Sequence, residues 1–382
     1  MSTSMRTVTH FVGRLVGSLG TLAILVLVGA CGTLAPPQAS VPDVPVPPPL
    51  GLDELYSVST HRFAVDPADP DLIGVLRVTR ADREDTFTDL ARRFNVGYEE
   101  LVRANPGVDP WLPGEGREIV LPTQHLLPNA PRDGIVINLA AMRLYYFPKA
   151  SRDESQIVYT FPIGIGRVGW ATPEGGTAIT RMAKNPTWRP GPGVRREHAK
   201  DGEILPAVVP PGPDNPLGSR ALYLGWPGYL IHGTNKPAGV GLRSSHGCIR
   251  MFPEDVEFLY ELVRPGTRVT VVNQPFVFGW HGDQLLMQAF NVLEDDPRDW
   301  KKAQRKLLSR SLAARIQKEL KARGRSIDWE AVSRLAHAPR GLPVAVSRAE
   351  STYEALIAGA TRVRNALPIG ATWAGETETE TR

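Results

Sequence analysis

The chain has 382 residues, 42% hydrophobic and 22% charged, with 35 prolines and 36 glycines. That length suggests two or three domains, and the composition excludes a disordered or polytopic chain. A net charge of +4 and a pI near 9.1 suit an anionic polymer as partner, while the lack of a basic stripe interleaved with aromatics speaks against nucleic acid.

Arg6 and Arg14 precede an apolar run, Leu15 to Ala30, that ends in Leu27-Val-Gly-Ala-Cys31. A basic segment, a short apolar run and small residues before a cut site make an export signal over residues 1–30. The run is shorter than the roughly 18–20 apolar residues of a spanning helix, and Gly17 and Gly20 interrupt it. Val-Gly-Ala-Cys31 resembles the lipobox of bacterial lipoproteins. The resemblance implies that Cys31 becomes the lipid-bearing N-terminus of an exported, periplasmic, membrane-anchored protein. Gly32, where no aspartate signals inner-membrane retention, favours the outer membrane.

Residues 31–52 are rich in Pro, Ala, Val and Ser, including Val41-Pro-Asp-Val-Pro-Val-Pro-Pro-Pro49. Such a spacer is extended, at about 3.1 Å per residue. A small module follows at 79–123. Phe87, Leu90, Ala91 and Phe94 fall on one helical face, and Tyr98, Leu101 and Val102 on another. Asn105-Pro106 stops the second helix, and Ile119-Val-Leu-Pro122 closes with a strand. The βααβ order, with Asp85-Thr86 and Ala104-Asn-Pro106, resembles a LysM module, which implies peptidoglycan binding. The departure is at the start, where Arg83-Glu84-Asp85-Thr86 replaces Gly-Asp-Thr.

A mainly β catalytic domain, a sandwich or barrel with one late helix, is expected over 133–273. Ile135–Leu139, Arg143–Phe147, Ile157–Ile163, Ala221–Leu224, Tyr229–His232 and Arg268–Val272 have strand character, and Pro253–Val263 is the helix. The segment from Pro190 to Pro216 is expected to be a long surface excursion. Residues 274–291 form a β-hairpin extension, and 292–382 a charged helical tail whose Lys and Arg runs face solvent.

The chain has two cysteines, Cys31 and Cys248. If Cys31 carries lipid, Cys248 is a lone thiol outside the cytoplasm, a liability unless its reactivity is used. Gly247 before it permits a tight turn that exposes the side chain. A free thiol is only a few per cent thiolate at neutral pH, so a histidine base is needed. His246 is two residues away; His232 ends an apolar strand 16 residues upstream and is followed by Gly233-Thr234.

His232-Gly-Thr with Ser245-His-Gly-Cys-Ile-Arg250 resembles the L,D-transpeptidase (YkuD-like) catalytic domain. Leu205-Pro-Ala-Val-Val-Pro and Gly212-Pro-Asp-Asn-Pro-Leu-Gly218 match a periplasmic subgroup that includes enzymes attaching Braun-type lipoprotein to peptidoglycan. The resemblance implies that Cys248 is the nucleophile and His232 the base, then acid, with its ring held by the Gly233 carbonyl. It places the oxyanion at the N–H groups of Gly247 and Cys248, with His246 and Ser245 supporting. Arg250, Arg243 and Asn235 are candidate substrate contacts.

Peptidoglycan stem peptides and glycan strands are the partners implied, with an outer-membrane lipoprotein as a second acceptor. No cofactor and no metal are expected. A zinc site from His232, His246 and Cys248 lacks paired ligand spacing. A papain-like peptidase places its cysteine before its histidine, the reverse of the order here. A non-catalytic wall-binding lipoprotein has no need of the thiol. Stem cross-linking, protein attachment, D-amino-acid exchange and hydrolysis by an L,D-carboxypeptidase stay open.

Overall fold

The computed structural model describes residues 62–149, 155–298, 310–347 and 351–367. The export signal, Cys31 and the proline-rich spacer lie outside the described residues, as do parts of the C-terminal segment.

The first elements are β1 (Arg62–Ala64), β2 (Leu72–Gly74), β3 (Arg77–Arg80), α1 (Phe87–Arg93), α2 (Tyr98–Ala104), β4 (Glu118–Leu121) and β5 (Gln124–Leu126). Thr86 caps α1 in a reciprocal box with Asp89, satisfying N–H groups that the first helical turn leaves open. Phe87, Leu90, Leu101, Ile119 and Leu121 pack into one small core, each stabilising by about 1.5–3 kcal/mol. Asn105 staples α2 to β4: its Nδ2 donates to the Leu101 and Val120 carbonyls, each at 2.9 Å, and its Oδ1 accepts the Val120 N–H at 2.7 Å. The Asn-Pro pair thus ends the helix and fixes the strand.

The next elements are β6 (Gly134–Asn138), β7 (Arg143–Phe147), β8 (Ile157–Pro162), β9 (Ile165–Gly166), β10 (Gly175–Lys184), α3 (Pro192–Lys200), β11 (Arg220–Leu224), β12 (Leu230–His232), β13 (Arg243–Ser245), β14 (Ile249–Arg250), α4 (Pro253–Leu262) and β15 (Arg268–Val272). Nine strands form one open, curled, mixed sheet, β1-β8-β7-β6-β15-β10-β11-β12-β14, and β9 pairs with β13. Its core joins Ile135, Leu144, Phe161, Leu222, Ile231 and Ile249 to Val256 and Leu259 of α4. Two elements depart from expectation. β10 has only Ile179 buried, so no alternation announces it. The Pro190–Pro216 excursion contains α3, which buries no residue and so shows no apolar stripe. Fully buried Asn215 orders that excursion by donating to the Pro186 and Pro210 carbonyls at 2.8 and 3.0 Å.

The remaining elements are β16 (Phe276–His281), β17 (Gln284–Ala289), α5 (Arg310–Ala322), α6 (Trp329–His337), β18 (Pro343–Ala345), α7 (Tyr353–Ala358) and β19 (Thr361–Arg362). The C-terminal segment carries helices, as expected, and its apolar residues and short strands also return onto earlier elements. β18 pairs with β17 and β19 with β3, and Ile316, Leu320, Val332 and Leu335 are buried against the hairpin.

The βααβ unit is fastened to the β domain by buried polar contacts. Arg143 of β7 forks onto Glu100 of α2 at 2.8 and 2.6 Å, and Asn95 donates to both Asp255 oxygens at 2.9 and 2.8 Å. Gly241 has φ +79°, and a Cβ there would lie 2.2 Å from the Tyr98 nitrogen, so only glycine lets the 233–244 loop meet α2. Its carbonyl accepts the Glu99 N–H at 3.2 Å. That loop connects His232 to the cysteine turn.

Candidate active site

The site forms where β12 and β14 run parallel, with Ile231 opposite Ile249 and His232 opposite Arg250. Cys248 immediately precedes β14, at the end of the turn 245–248. Buried Ser245 pins that turn: its Oγ accepts the Gly247 N–H at 3.1 Å and donates to the Cys248 carbonyl at 2.6 Å. Thr172 Oγ donates to the Gly247 carbonyl at 2.9 Å. Gly247 has φ +99°, and a Cβ there would meet the Tyr229 ring at 2.8 Å. The turn therefore admits glycine alone.

His232 is 5% exposed, and its Nδ1 lies 2.6 Å from the Gly233 carbonyl. A carbonyl only accepts, so the proton sits on Nδ1 and Nε2 keeps its lone pair. Burial, reinforced by the Arg250 charge, pushes the imidazole pKa down to about 4. Burial pushes the Cys248 thiol up, opposed by the Leu230 N–H directed at it and by Arg250. The resting pair is a neutral thiol and a neutral imidazole. Both line one cleft of about 1050 Å³.

Arg250 reaches the same cleft, and its Nη1 donates to Ser244 Oγ at 3.1 Å. Tyr223, Trp226 and Tyr229 supply apolar wall, and Arg181, Lys184 and Arg189 add positive charge. Among the described residues no Asp or Glu lines it.

His246 lies at the cleft too, but its ring is engaged elsewhere. Its Nε2 is 3.0 Å from Glu197 of α3 and 3.1 Å from the Arg167 guanidinium, which also pairs with Glu197. Trp170 meets the imidazole edge-on at 4.8 Å. Burial and Arg167 hold this imidazole below its usual value. Its ring is a strut between α3 and the cysteine turn.

Three expected residues stand differently. The Gly247 N–H, expected at the oxyanion, is taken by Ser245 Oγ because the turn folds back on its own side chain. Arg243 pairs with Asp295 at 2.7 Å and donates to the Gly166 carbonyl at 3.3 Å; it does not line the cleft. Asn235 is exposed on the 233–244 loop, outside the cleft lining. Sequence reasoning missed Thr172, Trp170, Glu197 and Arg181. The available signal was Trp170, Trp188 and Trp226 in Gly- and Pro-rich segments, where loop aromatics point to binding more often than to a core.

Residues 132–271 match the model of the YkuD family, described as the L,D-transpeptidase catalytic domain. The chain is 48% identical over 186 residues to the probable L,D-transpeptidase ErfK/SrfK of Escherichia coli, covering 48% of this chain and 58% of that protein. It is 46% identical over 190 residues to the probable L,D-transpeptidase YcfS of the same organism, covering 49% and 58%. The chain thus matches under three fifths of the length of these relatives. Against the putative L,D-transpeptidase YkuD of Bacillus licheniformis it is 30% identical over 188 residues, 49% of this chain and 93% of that protein. With nearly all of that compact relative spanned and the catalytic-domain model matched across the His232–Cys248 site, the chain belongs to the L,D-transpeptidase family.

Proposed function

We propose that the protein is a peptidoglycan L,D-transpeptidase with Cys248 as nucleophile and His232 as general base, then acid. The observation that carries this reading is the fixed imidazole: Nδ1–H on the Gly233 carbonyl leaves a neutral Nε2 in the cleft that Cys248 lines. His232 takes the thiol proton as sulfur attacks the carbonyl before the terminal D-Ala of a tetrapeptide stem. The tetrahedral oxyanion is met by the Cys248 and His246 N–H groups, Gly247 being committed to Ser245. Such donors are worth about 10²–10³ in rate each. The C–N bond breaks, His232 returns the proton to the D-Ala amine, and a thioester on Cys248 remains. An amine attacks the thioester and gives its proton to His232, the C–S bond breaks, and His232 returns that proton to the leaving Cys248 thiolate.

The amine belongs to a neighbouring stem or to a lysine of an outer-membrane lipoprotein. Export, lipid attachment at Cys31 and outer-membrane anchoring complete the reading, supported by the apolar run that ends in Val-Gly-Ala-Cys31. The unit from β3 to β4 is assigned a LysM-like, glycan-binding role. Its support is the βααβ order and a ring pair at the surface, half-buried Tyr98 and Trp111, with centroids 6.4 Å apart and Trp111 62% exposed.

Purified protein incubated with tetrapeptide stems and each acceptor in turn tests this. Free D-Ala and an amine-linked product are expected from the wild type and neither from Cys248→Ala. Release of D-Ala without any amine-linked product would make the enzyme an L,D-carboxypeptidase instead.

A further inference from the structure

The floor of the cleft is a face of the curled sheet, and its register places one charged residue where the core pattern would not. Along β11 and β12, Leu222 and Ile231 are partners on the core side. Tyr223 and Leu230 are partners on the other side, where they line the cleft. On β10, Ile179 pairs with Leu224 and is buried in the core. Two residues further on, alternation alone would turn Arg181 into that same core. Instead the β10–β11 register shifts between Ile179 and Arg181, so Arg181 pairs with Tyr223 and Met182 takes the core side opposite Leu222. The extra residue is Thr180, whose Oγ donates to the Tyr223 carbonyl at 3.2 Å. Bulges of this kind re-aim side chains beside active sites. Here the bulge delivers a guanidinium to the cleft, its Cζ over the Tyr223 ring at 3.5 Å from the centroid.

We propose that Arg181 is a specificity-determining residue, which binds a carboxylate of the acyl donor upstream of the attacked carbonyl. This rests on the transpeptidase reading of Cys248 and adds what the donor must carry. Arg181, Tyr223 and Leu230 are successive register partners across three strands. Two strand spacings, about 10 Å, therefore separate Arg181 from Leu230. Cys248 lines the same cleft as Leu230, and its Sγ donates to the carbonyl of Gly228, two residues before Leu230, at 3.5 Å. Less the reach of the arginine side chain, that span is one to two residues of extended peptide at about 3.3–3.6 Å each. The Tyr223 ring supports the guanidinium, whose planar fork suits a two-point contact with a carboxylate. Lys184 is spoken for by Glu261 at 3.0 Å, and among the described residues no Asp or Glu lines the cleft to compete with the donor.

Two synthetic tetrapeptide donors decide the matter, identical except that the carboxylate of the residue before the attacked one is free or converted to its amide. Rates of Cys248 acylation are followed by mass spectrometry for the wild type, Arg181→Ala and Arg181→Lys, whose melting temperatures are compared first. The wild type should prefer the free carboxylate about tenfold, a charged hydrogen bond at a partly open site. Arg181→Ala should acylate with both donors at the wild type's amide rate, and Arg181→Lys should keep part of the preference. Equal wild-type rates for the two donors, or a parallel loss on both in Arg181→Ala, would overturn the assignment. Acylation by neither donor would instead overturn the transpeptidase reading and this assignment with it.

Discussion

His232 and Arg250 are register partners across the parallel pair β12–β14, so the guanidinium sits beside both the imidazole and the thiol. Its charge disfavours protonated His232 and favours the Cys248 thiolate, holding both pKa values below where burial alone would leave them. Removing it by Arg250→Met should therefore move the acid limb of the kcat/KM profile to higher pH. An acid limb that stays in place would show that the Arg250 charge does not reach the base.

Stability should follow His232 as well. The folded-state pKa of about 4 lies below the roughly 6.5 of an unfolded histidine, so the unfolded chain binds the proton more readily between these values. The histidine's contribution is intact above pH 6.5 and is lost as pH falls toward 4, by about 3 kcal/mol. Denaturation of the wild type and His232→Asn across this window checks it: the fall should be shallower in the variant. Parallel curves would contradict the assignment.

Cys248 should be a slow thiol at rest, because burial raises it and no imidazolium partners it. Alkylation by iodoacetamide at pH 7 should be slower than for free cysteine and should climb steadily with pH. Fast labelling that is flat through neutral pH would mean a resting thiolate–imidazolium pair. Replacing His232 by Ala should cut acylation about 10²–10⁴-fold, as for a lost general base, whereas His246→Ala should cost less, its ring being a strut rather than the base.

Ser245 holds the turn through two hydrogen bonds, and Ser245→Ala leaves the Gly247 N–H and Cys248 carbonyl without it. A loss of about 1–3 kcal/mol is expected, with a larger fall in kcat than in donor affinity because the Cys248 N–H loses its aim. An unchanged kcat would remove the turn from the mechanism.

Glu100 and Arg143 form a pair with side chains 4% and 2% exposed. Glu100→Ala strands a buried guanidinium, and chemical denaturation should show a loss of about 3–5 kcal/mol. A loss below 1 kcal/mol would mean that the βααβ unit is not fastened through this pair.

The parts of this structure visible in the sequence are those with a period or a short motif. Helices α1 and α2 are legible from apolar spacing, α4 from Pro253 and the acids of its first turn, and β6, β7 and β15 from short runs rich in β-branched and aromatic residues. Cys248 stands out because a lone thiol beside glycine has few structural uses, whereas the choice of His232 over His246 comes from the resemblance of His232-Gly-Thr and the 245–250 motif to the L,D-transpeptidase domain. What stayed hidden has no local signature. β10 is held by its two neighbouring strands while burying little more than Ile179, and α3 buries nothing. The return of the C-terminal segment onto β3 and β17 pairs residues more than 50 positions apart, and the two strands involved are only two and three residues long. Arg243 looked like a substrate contact from its place near the motif, yet a distant Asp295 occupies it. Arg181 is visible only once the bulge at Thr180 is known.

The central claim is a thioester on Cys248, and intact-protein mass spectrometry after brief mixing with a tetrapeptide stem measures it directly. The account predicts that wild-type protein gains the mass of the stem less its terminal D-Ala, that the gain maps to the Cys248 peptide and is released by hydroxylamine, and that Cys248→Ala gains nothing. The same gain in Cys248→Ala, or an adduct mapping to a serine, would contradict it.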